Sequence, residues 1–180
     1  IEISKIQKCF SIGMFGKKRK LVPTRWSITA TDDIISKSLV SEILDFSLTD
    51  SCQVFCFEHL DNLYSVVIFP HRWMFEMQEA WHDGDAVGFG NDFEDAWGID
   101  HPPAIAGAYF AAKLAIAEYF VKNQTQGAVL VLREIRPEYA VPVGVWQVRE
   151  GVRATMKQKP YVASSFDDAI NFACKNMSIS

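Results

Sequence analysis

Two gatherings of basic side chains in this sequence could hold a phosphate. Lys17, Lys18, Arg19 and Lys20 form the first, with Arg25 and Trp26 a few residues behind them. Lysine and arginine neutralise a nucleic-acid backbone, and an arginine can grip a phosphate with two parallel N–H bonds. A tryptophan offers a face on which an unstacked base can lie. The second gathering is Arg149, Arg153 and Lys157, one at every fourth residue, which on a helix makes a basic stripe. Each has a structural alternative: a solvated turn for the lysine run, a place in the core for Trp26.

Three further residues could carry acid–base chemistry. Asp32 and Asp33 are adjacent carboxylates, able to bind Mg²⁺ or to act as acid and base. A position at the start of a helix explains them equally, through capping and compensation of the helix dipole. If Arg25 folds back on them, the result is a structural salt bridge. Lys113 stands among Ala106, Tyr109, Ala117 and Phe120 on an apolar helix face, so it must find a partner or shift its pKa. Glu134 or Asp33 is the expected partner. Together Asp32, Asp33 and Lys113 are the candidate catalytic residues, and no reaction follows from them.

Other signals are weaker. The acids between Asp83 and Asp95 could hold a hard cation, but they lack the ordered spacing of a calcium loop. Gly88-Phe89-Gly90 lacks the strand-to-helix context of a dinucleotide fingerprint. Cys52 and Cys56 alternate with Val54 on one face of a strand-like run, which reads as buried free thiols. His59, His71, His82 and His101 are spread without metal-binding spacing. No metal site is expected, and no cofactor can be named.

The elements that must position these groups follow from periodicity. Ile1 to Phe15 alternates loosely, as one or two strands. Thr31 is expected to cap a helix from Asp32 to about Phe46, with Ile35, Leu39, Ile43 and Leu44 facing in. Cys52–Glu58, Leu63–Phe69 and Arg72–Trp81 read as an antiparallel meander with short turns. His82 to Pro103, rich in glycine and acids, reads as a long loop. Pro102 and Pro103 introduce the strongest helix, Ala104 to Asn123, apolar almost all round and therefore central. Ala128–Ile135 reads as a central strand and Val143–Val148 as its hairpin partner. Ser164 or Ser165 caps a last helix, with Phe166, Ile170 and Phe172 or Ala173 facing in. The expected fold is α+β: a largely antiparallel sheet of about five or six strands, a central buried helix, and two or three further helices. Residues 1–180 are expected to form a single domain.

The run Lys20-Leu21-Val22-Pro23-Thr24-Arg25-Trp26-Ser27-Ile28-Thr29-Ala30-Thr31-Asp32-Asp33 resembles the signature of the archaeal Nre family, associated with DNA repair. Gly107–Lys113, Arg133–Tyr139, Pro142–Trp146 and Val148–Glu150 extend the resemblance, which covers about Lys18 to Ala169. It implies a role in DNA damage repair, with DNA as a partner. Because the chain starts at Ile1, it is expected to be the C-terminal portion of a longer Nre-like protein. Many Nre proteins carry a C-terminal motif for the sliding clamp PCNA. The ending FACKNMSIS lacks that motif, so clamp binding is an expectation for the full-length protein alone.

Composition bounds these readings. Of the 180 residues about half are apolar, which excludes a disordered tail, and the formal net charge of −4 makes any nucleic-acid contact a matter of local patches. No apolar run reaches membrane-spanning length and no signal peptide is visible, so a cytoplasmic protein without a membrane partner is expected. Three functions remain: a repair factor that touches DNA through Lys17–Lys20, Arg25, Trp26, Arg149, Arg153 and Lys157; a metal-dependent enzyme on DNA or nucleotides; and a scaffold that recruits repair partners.

Overall fold

The computed structural model describes residues 25–83, 86–139, 144–175 and 177–178, with side chains from Ile28 onward and without that of Asp83. The strands expected over Ile1 to Phe15 lie outside the described residues. Among the described residues, four helices, α1 (Arg25–Ile43), α2 (Ala106–Asn123), α3 (Val145–Thr155) and α4 (Phe166–Cys174), accompany eight strands. The strands are β1 (Ser47–Leu48), β2 (Cys52–His59), β3 (Asn62–Phe69), β4 (Met74–Asp83), β5 (Ala86–Glu94), β6 (Thr125–Gln126), β7 (Ala128–Ile135) and β8 (Tyr161–Ala163). Six of them form one sheet in the order β5-β4-β7-β3-β2-β8; β1 and β6 pair separately. Among the described strands of the large sheet only β4 and β7 run parallel. The fold is α+β, largely antiparallel, as the strand pattern implied.

Each strand's alternation assigns its two faces. Phe55, Tyr64, Val66, Phe75, Met77, Val129 and Val131 point to one side, where they pack with α2, α3 and the end of α1. Val54, Val67 and Leu132 point to the other, under Ala169 and Ala173 of α4. Cys52 and Cys56 are free, half-buried thiols on that second side. The hairpin between β2 and β3 turns through Leu60 and Asp61, both at positive φ (49° and 55°), the conformation of a two-residue type I′ turn.

The helix α2 is buried from Ala108 to Ala117 and again at Phe120, with α1 on one flank, α3 on the other and β4 beneath. A helix wrapped on every side buries its whole circumference, which is why its sequence carries no polar stripe. Ser165 caps α4 by accepting from the Asp168 N–H at 3.1 Å. Phe166 does not face in: it is exposed and lies stacked on Phe69.

Four expectations are corrected. The three strands read as a meander are not consecutive neighbours: β2 and β3 form a hairpin, but β7 inserts between β3 and β4, so β4 pairs in parallel with β7. The first helix begins at Arg25, not at Asp32, so Thr31, Asp32 and Asp33 sit in its second and third turns and compensate no helix terminus. The stretch from His82 to Pro103 is not one loop, because Ala86 to Glu94 pairs with β4 along its whole length. Its glycines are there for the neighbours: a Cβ on Gly88 would stand 2.4 Å from the Trp81 ring, and one on Gly90 2.4 Å from Ile105. Finally, Val145–Thr155 is a helix where a strand over Val143–Val148 was expected. Val145, Val148 and Val152 recur at helical spacing, and Gly144, at φ 61° and ψ −145°, supplies a backbone state that other residues avoid.

Helix α3 rests on β3 through Gly151, where an added Cβ would come within 2.5 Å of the buried Tyr64 ring. Gly151→Ala gains about 1 kcal/mol of helix propensity but overpacks an immobile ring, at a cost of about 1–3 kcal/mol. Thermal unfolding of Gly151→Ala is expected to show a net loss of stability. A Tm equal to or above that of the wild type would refute the contact.

Candidate functional site

Helices α1, α2 and α3 run in the same direction. The chain leaves α1 into β1 and α2 into β6, and these two short strands are parallel. Gln126 fastens that end by donating from Nε2 to the carbonyls of Leu44 and Phe46. At the other end, a Cβ on Gly107 would lie 2.7 Å from Val145 Cγ1, so the first turns of α2 and α3 abut. Further along, Arg153 of α3 donates to both carboxylate oxygens of Glu118 of α2, at 2.7 and 2.6 Å. All three helix N-termini therefore point to one end of the helical layer.

A cleft of 580 Å³ opens at that end. Ala104 to Ala108 and Gly144, Val145 and Val148 form its helical walls, and Glu79, Trp81, Arg133 and Ile135 come from the carboxyl ends of β4 and β7. The parallel pairing of these strands is what puts both ends there, since Glu79 lies directly beside Arg133. Arg133 is buried; it contacts Glu79 through NH1 and donates from Nε to Asn62 Oδ1 at 2.8 Å. Its guanidinium also lies over the Tyr64 ring, 5.8 Å from the centroid. Neither α2 nor α3 has an acid in its first turn or a side-chain cap. Asp92 of β5 accepts from the Ile105 N–H at 2.8 Å, ahead of α2. First-turn N–H groups have no partner within their own helix, and they carry the positive end of its dipole.

Between the helices lies a second polar centre. Asp32 of α1 and Arg149 of α3 are both buried, with Oδ2 and NH2 3.2 Å apart. The N–H is not aimed at the oxygen, so the contact is ionic without a hydrogen bond. Burial pushes the Asp32 carboxyl up to about 6, against the pull of Arg149 and Arg153. Burial likewise lowers the Arg149 pKa from its ordinary value, with Asp32 opposing. Arg149 spreads its guanidinium over the Trp146 ring, 4.6 Å from the centroid.

Lys113 belongs to a third centre, and its partner is Glu94 rather than Glu134 or Asp33. Nζ donates to Glu94 Oε2 at 2.7 Å, Tyr109 donates to the same oxygen at 2.9 Å, and Trp73 donates to Oε1 at 3.2 Å. All four side chains are buried. Burial and the neighbouring Glu94 raise the Tyr109 pKa far above its ordinary value, so the phenol stays neutral and donates.

The candidate catalytic residues thus stand apart. Asp32 meets Arg149, Asp33 forms an exposed-side pair with Lys37 at 2.8 Å, and Lys113 is sealed against Glu94. Of the basic stripe, Arg149 is interior, Arg153 is engaged by Glu118 and Glu150, and Lys157 is exposed just beyond α3. Lys17, Lys18, Arg19 and Lys20 lie outside the described residues, as do the side chains of Arg25 and Trp26, whose backbone forms the first turn of α1. Among the described residues no three or more histidine, cysteine or acidic side chains group as metal ligands. No described helix is long and apolar enough to cross a membrane. Asn62 and Glu79 were not singled out from the sequence, and Glu94 was read only among the acids between Asp83 and Asp95 as a candidate cation ligand, because only strand register brings these residues to their arginine and lysine.

A parallel helical layer on a mixed sheet, with its N-termini over the ends of two parallel strands, defines an α+β protein with a cleft at one end of that layer. Its family is shown by comparison. The model described as "Archaeal Nre, N-terminal" matches residues 1–86 and that described as "Archaeal Nre, C-terminal" matches residues 94–180. The chain belongs to the archaeal Nre family. It is 40% identical over 182 residues to the DNA repair protein NreA of Archaeoglobus fulgidus, covering 96% of this chain and 46% of that protein. It is 37% identical over 185 residues to NreB of the same organism, covering 99% and 47%. Identity to the Haloferax volcanii DNA repair protein NreA is 31% over 190 residues, covering 99% and 45%. The chain spans about half the length of each of these relatives. The match to the N-terminal model corrects the expectation of a C-terminal portion alone. No solved structure matches the chain.

Two outcomes test the buried charges. A carboxyl whose pKa is higher folded than unfolded favours the fold at low pH and loses that advantage as pH rises. For Asp32, with an ordinary value of 3.8 and a folded value of about 6, the loss falls between about pH 4 and 6 and amounts to roughly 3 kcal/mol. Urea unfolding of the wild type and Asp32→Asn is expected to show wild-type stability falling relative to the variant over that window; a constant difference would contradict it. Lys113→Glu places a second carboxylate against Glu94, whereas Lys113→Met leaves Glu94 its Tyr109 and Trp73 donors. Lys113→Met should therefore melt above Lys113→Glu, by an amount on the order of 2 kcal/mol or more in stability. Equal melting temperatures would count against the pairing.

Proposed function

We propose that this chain is a DNA-contacting part of a DNA-repair protein, and that it holds the phosphate backbone at the end where the three helix N-termini gather. The observation that carries this reading is the abutment of the first turns of α2 and α3 at Gly107 and Val145, over a cleft lined by Arg133. Helix N-termini suit phosphate because unpaired N–H groups and the dipole act together. Glu79 balances Arg133 and Asp92 takes part of the α2 terminus, so the cleft is a modest anion site that needs support from elsewhere. Chain connectivity supplies it. Arg25 opens α1 at this same end, and Lys20 lies five positions before it in the sequence. The names of the relatives, DNA repair proteins NreA and NreB, support the repair role. Arg149 and Arg153 serve this reading only indirectly, because their charges are spent inside the helical layer; Lys157 is the member of that stripe left on the surface.

Titration of labelled single- and double-stranded DNA at several salt concentrations tests the reading. Joint replacement of Lys18, Arg19 and Arg25 by alanine should lower the salt slope of binding by about two to three units. Ala104→Asp adds a negative charge to an exposed residue of the cleft wall, where the helix dipole tolerates it. It is expected to weaken DNA binding without lowering Tm. Wild-type protein that binds neither DNA at low salt would overturn the reading. Wild-type binding with curves unchanged in both variants would remove the site.

A further inference from the structure

On the other side of α3 from the cleft lies a groove of 420 Å³ between this helix and the β2–β3 hairpin. That volume is within the range of small-molecule sites, about 300–1,000 Å³. Phe57, His59, Tyr64, Trp146, Gln147 and Glu150 line it. Its walls are largely aromatic. Phe57 and His59 are stacked on each other at 6.1 Å and 29°, and the buried Tyr64 is fixed by its hydroxyl, which donates to the Gln147 carbonyl at 3.3 Å.

Two features separate this groove from an ordinary crevice. The first is the Gln147 side chain. The residue is 6% exposed, yet neither Nε2 nor Oε1 has a hydrogen-bond partner. Leaving a buried polar group unsatisfied costs about 1–3 kcal/mol, and an amide presents a donor and an acceptor side by side. Both atoms are covered in this structure, so a ligand edge that offers the complementary pair would satisfy them by drawing the amide toward the groove. The second is Trp146. It is 43% exposed while Arg149 backs its ring, and Arg149 is itself held in the interior by Asp32. A partly solvated indole kept in place from behind is a stacking platform.

We infer that this groove receives an unpaired nucleobase of the bound DNA strand, stacked on Trp146 with its hydrogen-bonding edge toward the Gln147 amide. This rests on the DNA-contacting reading above. Every base has a face to stack and an edge with adjacent donors and acceptors, and glutamine pairs with such edges. The placement fits a strand whose backbone is held at the cleft. Gly144, Val145 and Val148 face the cleft while Trp146, Gln147 and Gly151 face the groove, so both openings share the first two turns of α3. Arg133 of the cleft and Tyr64 of the groove are in cation–π contact between them. The pair Asp32–Arg149 then acts as a positioning device for Trp146 and touches no ligand.

The test combines anisotropy with photocrosslinking on the full chain, using single-stranded oligonucleotides of dA, dC or dT and a 5-iodouracil-containing strand. Circular dichroism checks that each variant is folded, and Trp146→Phe tests rescue. Trp146→Ala is expected to weaken binding to all three oligonucleotides by roughly five- to 100-fold, with Trp146→Phe recovering most of it. Wild-type affinities should differ between the three by about fivefold or more, and Gln147→Leu should level them. Crosslinks should map to Trp146 or Tyr64. If wild-type protein binds DNA but crosslinks elsewhere and Trp146→Ala binds as tightly, the groove is not the base site and the DNA-contacting reading survives. If it binds no DNA at low salt, both fall together.

Discussion

The burial of α2 on every side is the constraint on which the other features depend. A helix with no solvated face cannot leave a charge to water, so Lys113 in its middle requires a carboxylate in the interior. Glu94 answers, at the last residue of β5, and it recruits Tyr109 and Trp73 to its remaining lone pairs. The network ties the edge strand of the sheet to the central helix. Removing one member leaves charge without compensation in a medium of low dielectric, which is why such sites tolerate loss of the pair better than loss of a partner.

The same burial shapes the flanks. With α1 and α3 both pressed on α2, polar groups at the helix contacts have to meet one another. Arg153 and Glu118 do so with good geometry near the surface, whereas Asp32 and Arg149 meet deep inside and poorly aligned. Desolvation outweighs attraction in the second pair, so it is a weak contributor to stability. Its effect is positional: it fixes α1 to α3 and backs Trp146. The common direction of the three helices collects their N-termini at one end, opposite the end stapled by Gln126.

The two family segments do not correspond to separate sheets. Strand β7, from the segment matched by the C-terminal model, lies between β3 and β4 from the other, and β8 closes the far edge beside β2. The junction between the segments falls along β5, and α1 from the first packs on α2 from the second. Contacts of such long sequence separation set both the sheet order and the cleft.

What could be read from the sequence alone was whatever each segment must bury by itself. The circumference of α2, the β2–β3 hairpin, the strand character of β4, the core strand β7 and the serine cap of α4 follow from local periodicity and capping, and the family was legible in long, unusual motifs; that β4 pairs with β7 rather than with β3 was not legible, because strand order is set by long-range pairing. The start of α1 was not, because its first turns carry mixed polar residues with no clear apolar stripe, and the two acids imitate a helix start. Nor was α3: the alternation of Val141, Val143 and Val145 imitates a strand until Gly144 resets the backbone. Strand β5 was hidden by glycines whose reason is the bulk of Trp81 and Ile105. Above all, the fate of each charge was decided by the tertiary structure. A basic side chain at helical spacing is the same in sequence whether it meets a phosphate or an acid 117 residues away, as Arg149 meets Asp32. Only the packing of helix on helix determines which, because a charge in the interior is governed by the partner that register and burial place beside it.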